Sequence, residues 1–297
     1  MRAGCGAIGR LAARLALALC LALGAAGASS AKPPMWIVRS KGATIVLFGS
    51  VHLLPAGLDW RPAALDDAIG KADELWFELP ITAASDYEAS VASEKRGELK
   101  PGQSLYNLLE PDQADKLKRV AIKLHRVPDV IAAMQPWDAE LTLSVAEDAE
   151  SGATAFNGVE EQIQAIAPLA ARRVAFENAK QQIDFLAGAP IKDQLASLKV
   201  TLHEIEDDPT SYRRVVDEWM AADLVGLERD AITPLKSASP VLYDRLIAGR
   251  NRAWVKKLRK RLKKPGLTVV IVGVGHLIGP DGLPTLLRAK GVDVEAP

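Results

Sequence analysis

The sequence has almost no cysteine, and its only two, Cys5 and Cys20, lie within the first 28 of its 297 residues. Residues 29–297 contain no thiol, which excludes a cysteine nucleophile, a cysteine zinc site and an iron–sulfur cluster there. The chain also lacks an excess of either charge, since 37 Lys and Arg balance 37 Asp and Glu. Nucleic-acid-binding proteins usually show a clear basic excess, so the sequence predicts no nucleic-acid partner.

The first 28 residues have the features of a secretory signal peptide. Three arginines and no acid precede an apolar run at 15–23, and a small-residue segment ends in Ala26-Gly-Ala28. The run is shorter than the roughly 20 apolar residues that span a bilayer, although an uncleaved anchor is the alternative. We therefore expect a signal peptide at 1–28, a single domain at 29–297, and a periplasmic or secreted protein of a Gram-negative bacterium without a membrane span.

Near-continuous apolar runs close to both ends of the chain predict strands that are covered on both faces. These runs lie at 36–39, 44–49, 75–79, 268–273 and 292–295, with a further short run at 173–177. Residues 104–150 and 178–263 are mostly helical in pattern, and individual helices are predicted at 62–71, 112–125, 135–150, 162–171, 181–186, 191–205 and 284–290. The basic run at 256–264 is typical of a solvated helix end. The predicted fold class is α/β, with a central mixed sheet built from N- and C-terminal strands, flanking helices and a large helical middle region.

Four of the predicted strands are followed by a chemically useful side chain. Gly49-Ser-Val-His52 and Gly273-Val-Gly-His276 each place a histidine just after an apolar strand, and Glu78 and Glu177 follow two others. Ligands favour the carboxyl edge of an open α/β sheet, so these four side chains are the candidate site.

Two histidines with one or two carboxylates are a common ligand set for Zn²⁺, Mn²⁺ or Co²⁺. The alternative is structural: each histidine caps a strand, and each glutamate pairs with a surface base. The two remaining histidines, His125 and His203, lie in charged helical surroundings and are predicted to be surface residues.

Several motifs together resemble the TraB/GumN family. Gly49-Ser-Val-His52-Leu-Leu-Pro55 and the segment from Val272 to Val292, with its G-x-G-H-L-x-G-x-D-G pattern, are the most specific. Further matches occur at Glu78, Gln135-Pro-Trp137, Gly158-Val-Glu160, Phe176-Glu-Asn178 followed by Gln182, Trp219 with Asp223, and Gly249-Arg-Asn-Arg-Ala-Trp254. Three positions depart from the family pattern: Ser50 replaces Thr, Glu160 replaces Asp, and Ala222 replaces the Gly before Asp223.

The resemblance implies a Tiki-like fold related to metal-dependent proteases. It places His52 and His276 at the metal site and matches Glu78 to the family's essential glutamate. Glu177 matches the acid of an L-E-T-like segment, and we expect it to be the third metal residue. Arg250 and Asn251 match the family's R-N-x-x-W element, where Arg250 would stabilise a developing oxyanion and Asn251 would be its hydrogen-bonding partner. Either Glu78 or Glu177 would bind the metal, and the other would accept a proton from water.

Two functions remain open at this point. The first is an exported metal-dependent hydrolase, in particular a peptidase, that uses Mn²⁺, Co²⁺ or Zn²⁺ and acts on a peptide or small-molecule substrate. The second is a non-catalytic periplasmic protein on the same fold, either a ligand-binding protein or an accessory protein in exopolysaccharide production. The sequence assigns neither a substrate nor an oligomeric state.

The signal-peptide prediction has a direct test in a Gram-negative host that expresses the full chain. The intact mass of the purified protein should correspond to a chain that begins at or near Ser29, in the periplasmic fraction. A mass that includes residues 1–28, found in the membrane fraction, would instead identify a retained anchor.

Overall fold

Two strands from opposite ends of the sequence lie side by side in the sheet. In the computed structural model, which describes residues 32–297, β2 (Ala43–Ser50) pairs in parallel with β7 (Gly266–Gly273), with Phe48 opposite Ile271 and Gly49 opposite Val272. Both strands are almost wholly buried, as their apolar runs predict. The strands that precede His52 and His276 are therefore direct neighbours.

The six-stranded sheet is mixed and has the order β6-β4-β7-β2-β1-β8. The four strands β6, β4, β7 and β2 run parallel to one another, whereas β1 is antiparallel to both β2 and β8. A separate antiparallel pair joins β3 to β5. The strand bounds are β1 Met35–Ser40, β2 Ala43–Ser50, β3 Leu54–Pro55, β4 Glu74–Phe77, β5 Ala153–Thr154, β6 Arg172–Ala175, β7 Gly266–Gly273 and β8 Asp293–Glu295.

The helices occupy the connections and most of the middle of the chain. The α-helices span Ala63–Gly70, Ala83–Gly97, Leu105–Leu108, Pro111–Lys123, Pro128–Ala132, Pro136–Glu150, Val159–Ile166, Ala179–Ala187, Ile191–Asp207, Ser211–Met220, Leu224–Leu227, Thr233–Ala238, Pro240–Tyr243, Gly249–Arg261 and Leu283–Arg288. Wider π-helical turns lie at Glu228–Ile232 and Asp244–Ala248, and 3₁₀ turns at Ala155–Asn157 and Val274–His276. The predicted α/β class is confirmed.

Some predicted boundaries differ from the structure. The helix predicted at 162–171 ends at Ile166, because Pro168 disfavours helical conformation in the residue before it. Strand β4 ends at Phe77, so Glu78 lies beyond the strand. The basic run is only partly solvated: Arg261 is buried and its guanidinium lies 3.2 Å from the carboxylate of Glu74.

Two apolar clusters form the interior of the compact unit Lys32–Pro297. The larger one surrounds the sheet and includes Trp60 and Trp219, whose ring centroids are 5.9 Å apart. The smaller one lies among the helices between residues 105 and 205. The predicted signal peptide at 1–28 falls outside the described residues.

Gly158 fixes the close approach of the helix Val159–Ile166 to the segment after β2. A Cβ atom at this position would lie 1.9 Å from the backbone oxygen of His52, which no side chain tolerates. We expect Gly158→Ala to lower the free energy of unfolding by about 1–3 kcal/mol, because the backbone must shift to relieve the overlap.

The matched control is Gly70→Ala, since Gly70 is exposed at the end of a helix and a Cβ there meets nothing within 4 Å. That variant should gain about 0.4–1 kcal/mol by restricting the unfolded chain. Urea unfolding of both variants measures the two effects. Equal stabilities would show that the Gly158 contact is not needed.

Candidate functional site

The four candidate side chains follow the four parallel strands and meet at one edge of the sheet. His52 lies two residues after β2, Glu78 directly after β4, Glu177 two residues after β6, and His276 at the end of the 3₁₀ turn that follows β7. Because these strands are adjacent and parallel, their carboxyl ends share one edge. The sequence prediction of a common edge is confirmed.

Glu78 accepts hydrogen bonds from three directions. Its Oε1 accepts the backbone N–H of Gly273 at 2.7 Å, and its Oε2 accepts from Arg250 at 2.6 Å and from Gln182 at 3.3 Å. The Nε2 atom of His276 lies 3.7 Å from Oε1. Burial alone would raise the pKa of Glu78, but the positive charges of Arg250 and His52 and the hydrogen bond from the Gly273 N–H outweigh burial and hold the pKa well below its usual value. Glu78 is therefore a carboxylate at neutral pH.

The tautomer of His276 is set by Asn251. The Asn251 side-chain amide donates to the backbone oxygens of His276 and Asp281, at 3.1 and 2.8 Å, which turns its Oδ1 toward the imidazole. Nδ1 of His276 then donates to this oxygen at 2.7 Å. Burial, with the nearby charge of Arg250, lowers the pKa of His276 to about 3. His276 is thus a neutral imidazole whose Nε2 carries a lone pair toward Glu78 and Arg250.

The second histidine, His52, has the opposite environment. Its side chain is 58% exposed, and its Nδ1 lies 2.8 Å from Oε1 of Glu160, which also accepts the hydroxyl of Ser50 at 2.5 Å. The Glu160 carboxylate raises the pKa of His52 to about 9. The ring is therefore protonated at neutral pH, and Glu160 fixes its orientation.

Arg250 joins Glu177 to the rest of the site. Its Nε donates to both Glu177 oxygens, at 3.0 and 3.1 Å, and its Nη2 donates to one of them at 2.8 Å. Trp254 Nε1 donates to the same carboxylate at 2.8 Å. The third guanidinium nitrogen, Nη1, lies 3.1 Å from Nε2 of His276. The side chains of Arg250 and Glu177 are only 8% and 6% exposed, so the pair is a desolvated ion pair.

Gly273 provides the space in which these groups approach one another. A Cβ atom there would lie 3.3 Å from Oε1 of Glu78 and 3.4 Å from Nε2 of His52. Oε1 of Glu78 and Nε2 of His52 thus both lie beside Gly273, and Nε2 of His276 lies 3.7 Å from the same Glu78 oxygen. Glu177 contacts this group through Arg250 and not through either histidine.

The chemistry of these donors fits a divalent cation. Metal-binding histidines usually donate one ring N–H to an orienting oxygen and offer the other nitrogen to the ion. His276 has this arrangement, with Asn251 as the orienting group. His52 is oriented in the same way by Glu160, and it would have to release its second proton before Nε2 could bind an ion. Within residues 32–297, no three His, Cys, Asp or Glu side chains are already grouped as metal ligands.

The structure places three further residues at the site for which the sequence predicts no role: Glu160, Gln182 and Trp254. Each is polar and falls within a motif, but its partner is more than 70 residues away in sequence. Asn251 was expected to assist an oxyanion; it is fully buried behind His276, and its contacts are those of a positioning residue.

Ala222, which stands where the family pattern has glycine, adopts a backbone conformation that glycine would favour. Ala222 has a φ of 53°, in the left-handed region where glycine is the usual residue. It follows Trp219, whose indole N–H donates to the backbone oxygen of Gly49 at 2.8 Å. The strained turn therefore adjoins a residue that fixes the end of β2.

A sequence profile described as the TraB/PrgY/gumN family matches residues 34–296. The chain belongs to this family. This TraB/PrgY/gumN member is 27% identical to "Uncharacterized protein YbaP" of Escherichia coli (strain K12) over 243 aligned residues. The alignment covers 82% of this chain and 87% of the relative. The YbaP protein of Shigella flexneri matches to the same extent. No solved structure matches this family member.

Family membership confirms the resemblance found in the sequence. The names of these relatives assign no reaction, so the chemistry of this TraB/PrgY/gumN protein follows only from its own side chains. No helix within residues 32–297 combines the length and apolarity needed to cross a membrane.

The carboxylate of Glu160 determines the pH at which His52 loses its second proton, and this can be tested. We expect Glu160→Gln to lower the pKa of His52 from about 9 toward its ordinary value of 6.5, because the carboxylate charge is the main cause of the shift. Imidazole NMR titration measures this, with the exposed His125 as an internal reference. An unchanged His52 pKa in the variant would contradict it.

The same pair affects stability in a defined pH window. A raised folded-state pKa stabilises the protein fully below pH 6.5, and this stabilisation is lost as the pH rises through about 9. The wild-type advantage over Glu160→Gln should therefore decline between these values. Since His52 is more than half exposed, solvent screening limits the effect to about 1 kcal/mol.

Proposed function

We propose that this protein is an exported metal-dependent hydrolase that cleaves peptide bonds. The observation that carries the proposal is the pair of oriented imidazoles that lie close to Glu78 at the carboxyl edge of the sheet. The sequence features of residues 1–28 support export.

His52, His276 and Glu78 are the side chains that would hold the ion. Glu78 is favoured over Glu177 because its oxygens lie near both histidines, whereas the Glu177 oxygens accept hydrogen bonds from Arg250 and Trp254. A carboxyl group with a pKa of about 2 is also a weak base, which suits a ligand better than a proton acceptor. The other assignment, with Glu177 as ligand and Glu78 as base, is separable by experiment.

A bound divalent ion would polarise a substrate carbonyl and favour deprotonation of water. The chain's own residues have four further roles. Glu160 and Asn251 hold the two imidazoles in place. Arg250 places positive charge beside Glu78, where negative charge develops during acyl transfer, and Glu177 orients Arg250. His52 is the exposed member of the group, so substrate would approach from its side.

The metal proposal predicts a ligand-induced rise in stability. After chelator treatment, Mn²⁺, Co²⁺ or Zn²⁺ at about 100 times Kd should stabilise the mature wild-type chain by about 2.7 kcal/mol. Glu78→Gln should fold but lose most of this gain, whereas Glu177→Gln should keep it. Thermal melts with and without each metal, together with elemental analysis, measure the effect.

The matched control is Glu161→Gln, an exposed glutamate next to Glu160 in sequence. A loss of the gain in Glu177→Gln alone would reverse the assignment of the two glutamates. Absence of bound metal and of any metal-induced gain in the wild type would remove the metal from the proposal.

A peptide-cleavage assay distinguishes a hydrolase from a non-catalytic binding protein. A mixture of blocked peptides incubated with the metal-loaded wild type should yield new amino termini, detected by mass spectrometry. His52→Ala should abolish cleavage while leaving the melting temperature of the metal-free protein nearly unchanged. Intact peptides that bind but are never cut would favour the non-catalytic alternative.

A further inference from the structure

A cleft lined by cations lies at the end of the sheet opposite to the candidate site. It has a volume of about 890 Å³ and lies between the helix Gly249–Arg261 and the sheet edge formed by β1 and β8. Its lining contains one acid, Asp293, and six exposed cationic side chains: Arg39, Lys41, Lys256, Arg259, Lys260 and Lys263.

Four of these cations form one stripe along the helix. Lys256, Arg259, Lys260 and Lys263 have the i, i+3, i+4, i+7 spacing of a single helix face, with Lys263 in the turn that follows the last helical residue. Another face of the helix, which includes Leu258, is buried in the core. Like charges at these spacings destabilise a helix. The stripe therefore lowers the stability of the helix that carries it.

The chain supplies little negative charge to balance this cleft. No Asp or Glu occurs between Asp244 and Asp281 in the sequence. Arg39 pairs with Glu295 at 2.6 Å, and both side chains are about half exposed. The other five cations form no ion pair with any residue of 32–297. Because the whole chain has a net charge of +0, the cleft is a local concentration of positive charge.

The remaining cations of the same basic run have structural partners. Arg261 is buried beside the carboxylate of Glu74, and the Lys257 ammonium donates to the backbone oxygen of Phe176. The run is thus divided between two faces of the helix. One face holds the helix to the sheet, and the other presents unpaired charge to solvent.

The helix dipole explains only part of the cluster. Cations in the last turn of a helix are favoured by its dipole, which accounts for Arg259 and Lys260. Arg39 and Lys41 come from the other end of the sequence, beside the turn that joins β1 to β2. Charges from two separate parts of the chain therefore converge on one cleft, as they do on surfaces that attract an anionic partner.

The cleft and the candidate site are separated by the length of the sheet. Lys41 lies two residues before β2 and His52 lies two residues after it. A strand of eight residues, as β2 has, is about 25 Å long. A partner bound at the cleft therefore leaves the carboxyl edge of the sheet open to solvent.

The lining favours phosphate headgroups over a nucleic acid or a polysaccharide. No aromatic side chain of residues 32–297 lines the cleft. Proteins that bind single-stranded nucleic acid stack the bases on aromatic rings, and sugar rings likewise pack on aromatic faces. Four of the six cations are lysines, whose compact charge on a flexible stem suits phosphate groups. Clusters of four to eight Lys or Arg beside a helix are typical of surfaces that bind anionic lipids.

We propose that this cleft docks the protein on a phospholipid membrane that carries anionic headgroups. The cations contact the lipid phosphates. Leu262, the largest apolar side chain of the lining, is buried, and none of the exposed large apolar side chains of residues 32–297 lines the cleft. The contact is therefore electrostatic and does not insert into the hydrocarbon layer. It does not depend on the proposed hydrolase.

Co-sedimentation with lipid vesicles tests the proposal. The chain 29–297 is used, since it contains the whole compact unit Lys32–Pro297 and lacks the apolar run at 15–23. It should bind vesicles of one-third phosphatidylglycerol and two-thirds phosphatidylcholine about 100-fold more tightly than pure phosphatidylcholine, because each cation near an anionic surface contributes about fivefold. Raising the salt to about 0.5 M should release the bound protein, because salt screens exposed charges.

Two substitutions in the stripe test its role directly. Lys256→Gln combined with Lys260→Gln should weaken binding to the anionic vesicles about 25-fold. Both positions are exposed, and glutamine has nearly the helix propensity of lysine, so this variant should melt at or above the wild-type temperature. Lys41→Gln combined with Lys263→Gln is a second pair at the same cleft and should weaken binding to a similar extent.

The matched control is Lys100→Gln combined with Lys192→Gln. It changes the net charge by the same amount at two exposed lysines that do not line the cleft, and it should bind as the wild type does. Equal binding to vesicles with and without phosphatidylglycerol, or equal losses in the cleft and control variants, would overturn the proposal. Binding of the soluble polyanion dextran sulfate without binding to either vesicle would replace the membrane by an acidic polymer. Vesicle binding in the absence of peptide cleavage would leave the proposal intact.

Discussion

A buried guanidinium between two buried carboxylates holds the carboxyl edge of the sheet together. Arg250 donates to Glu78 after β4, to Glu177 after β6, and toward His276 after β7. All of these side chains are nearly inaccessible to water. Removing charges from water is costly, and the cost is offset only where each N–H and each oxygen finds a partner. The planar five-donor guanidinium meets that condition at several strand ends at once, which a lysine could not.

The same arrangement makes the two similar histidine motifs chemically different. His276 is buried against Arg250, stays neutral and presents an unprotonated Nε2. His52 is exposed beside Glu160 and carries a proton at neutral pH. The asymmetry follows from burial and from the nearest charge, and neither is visible in a G-x-x-H pattern. A ligand that approaches from solvent meets the cationic ring first.

The positions of the strand ends could be predicted from the sequence because apolar runs identify buried strands, and parallel strands place the residues after them at one edge. His52, Glu78, Glu177 and His276 were found in this way. Their partners could not be predicted, because hydrogen bonds such as Glu160 to His52 or Trp254 to Glu177 depend on where separate helices pack. The extra helix Ala83–Gly97 was missed for a related reason: few of its residues are buried, so its pattern of apolar positions is weak.

Two carboxyl groups of this protein, those of Glu78 and Glu140, are withdrawn from water in different ways. At the sheet edge, Glu78 is paired with a guanidinium, and its pKa falls to about 2. Between the helices Pro136–Glu150 and Ile191–Asp207, Glu140 has only hydroxyl partners, and its pKa rises to about 7. A paired carboxylate keeps its charge when buried, whereas an unpaired one is driven toward the neutral acid. The sheet edge is thus internally neutralised, and its geometry persists without a ligand. Glu140 has no cationic hydrogen-bond partner among residues 32–297, so its charge depends on the pH.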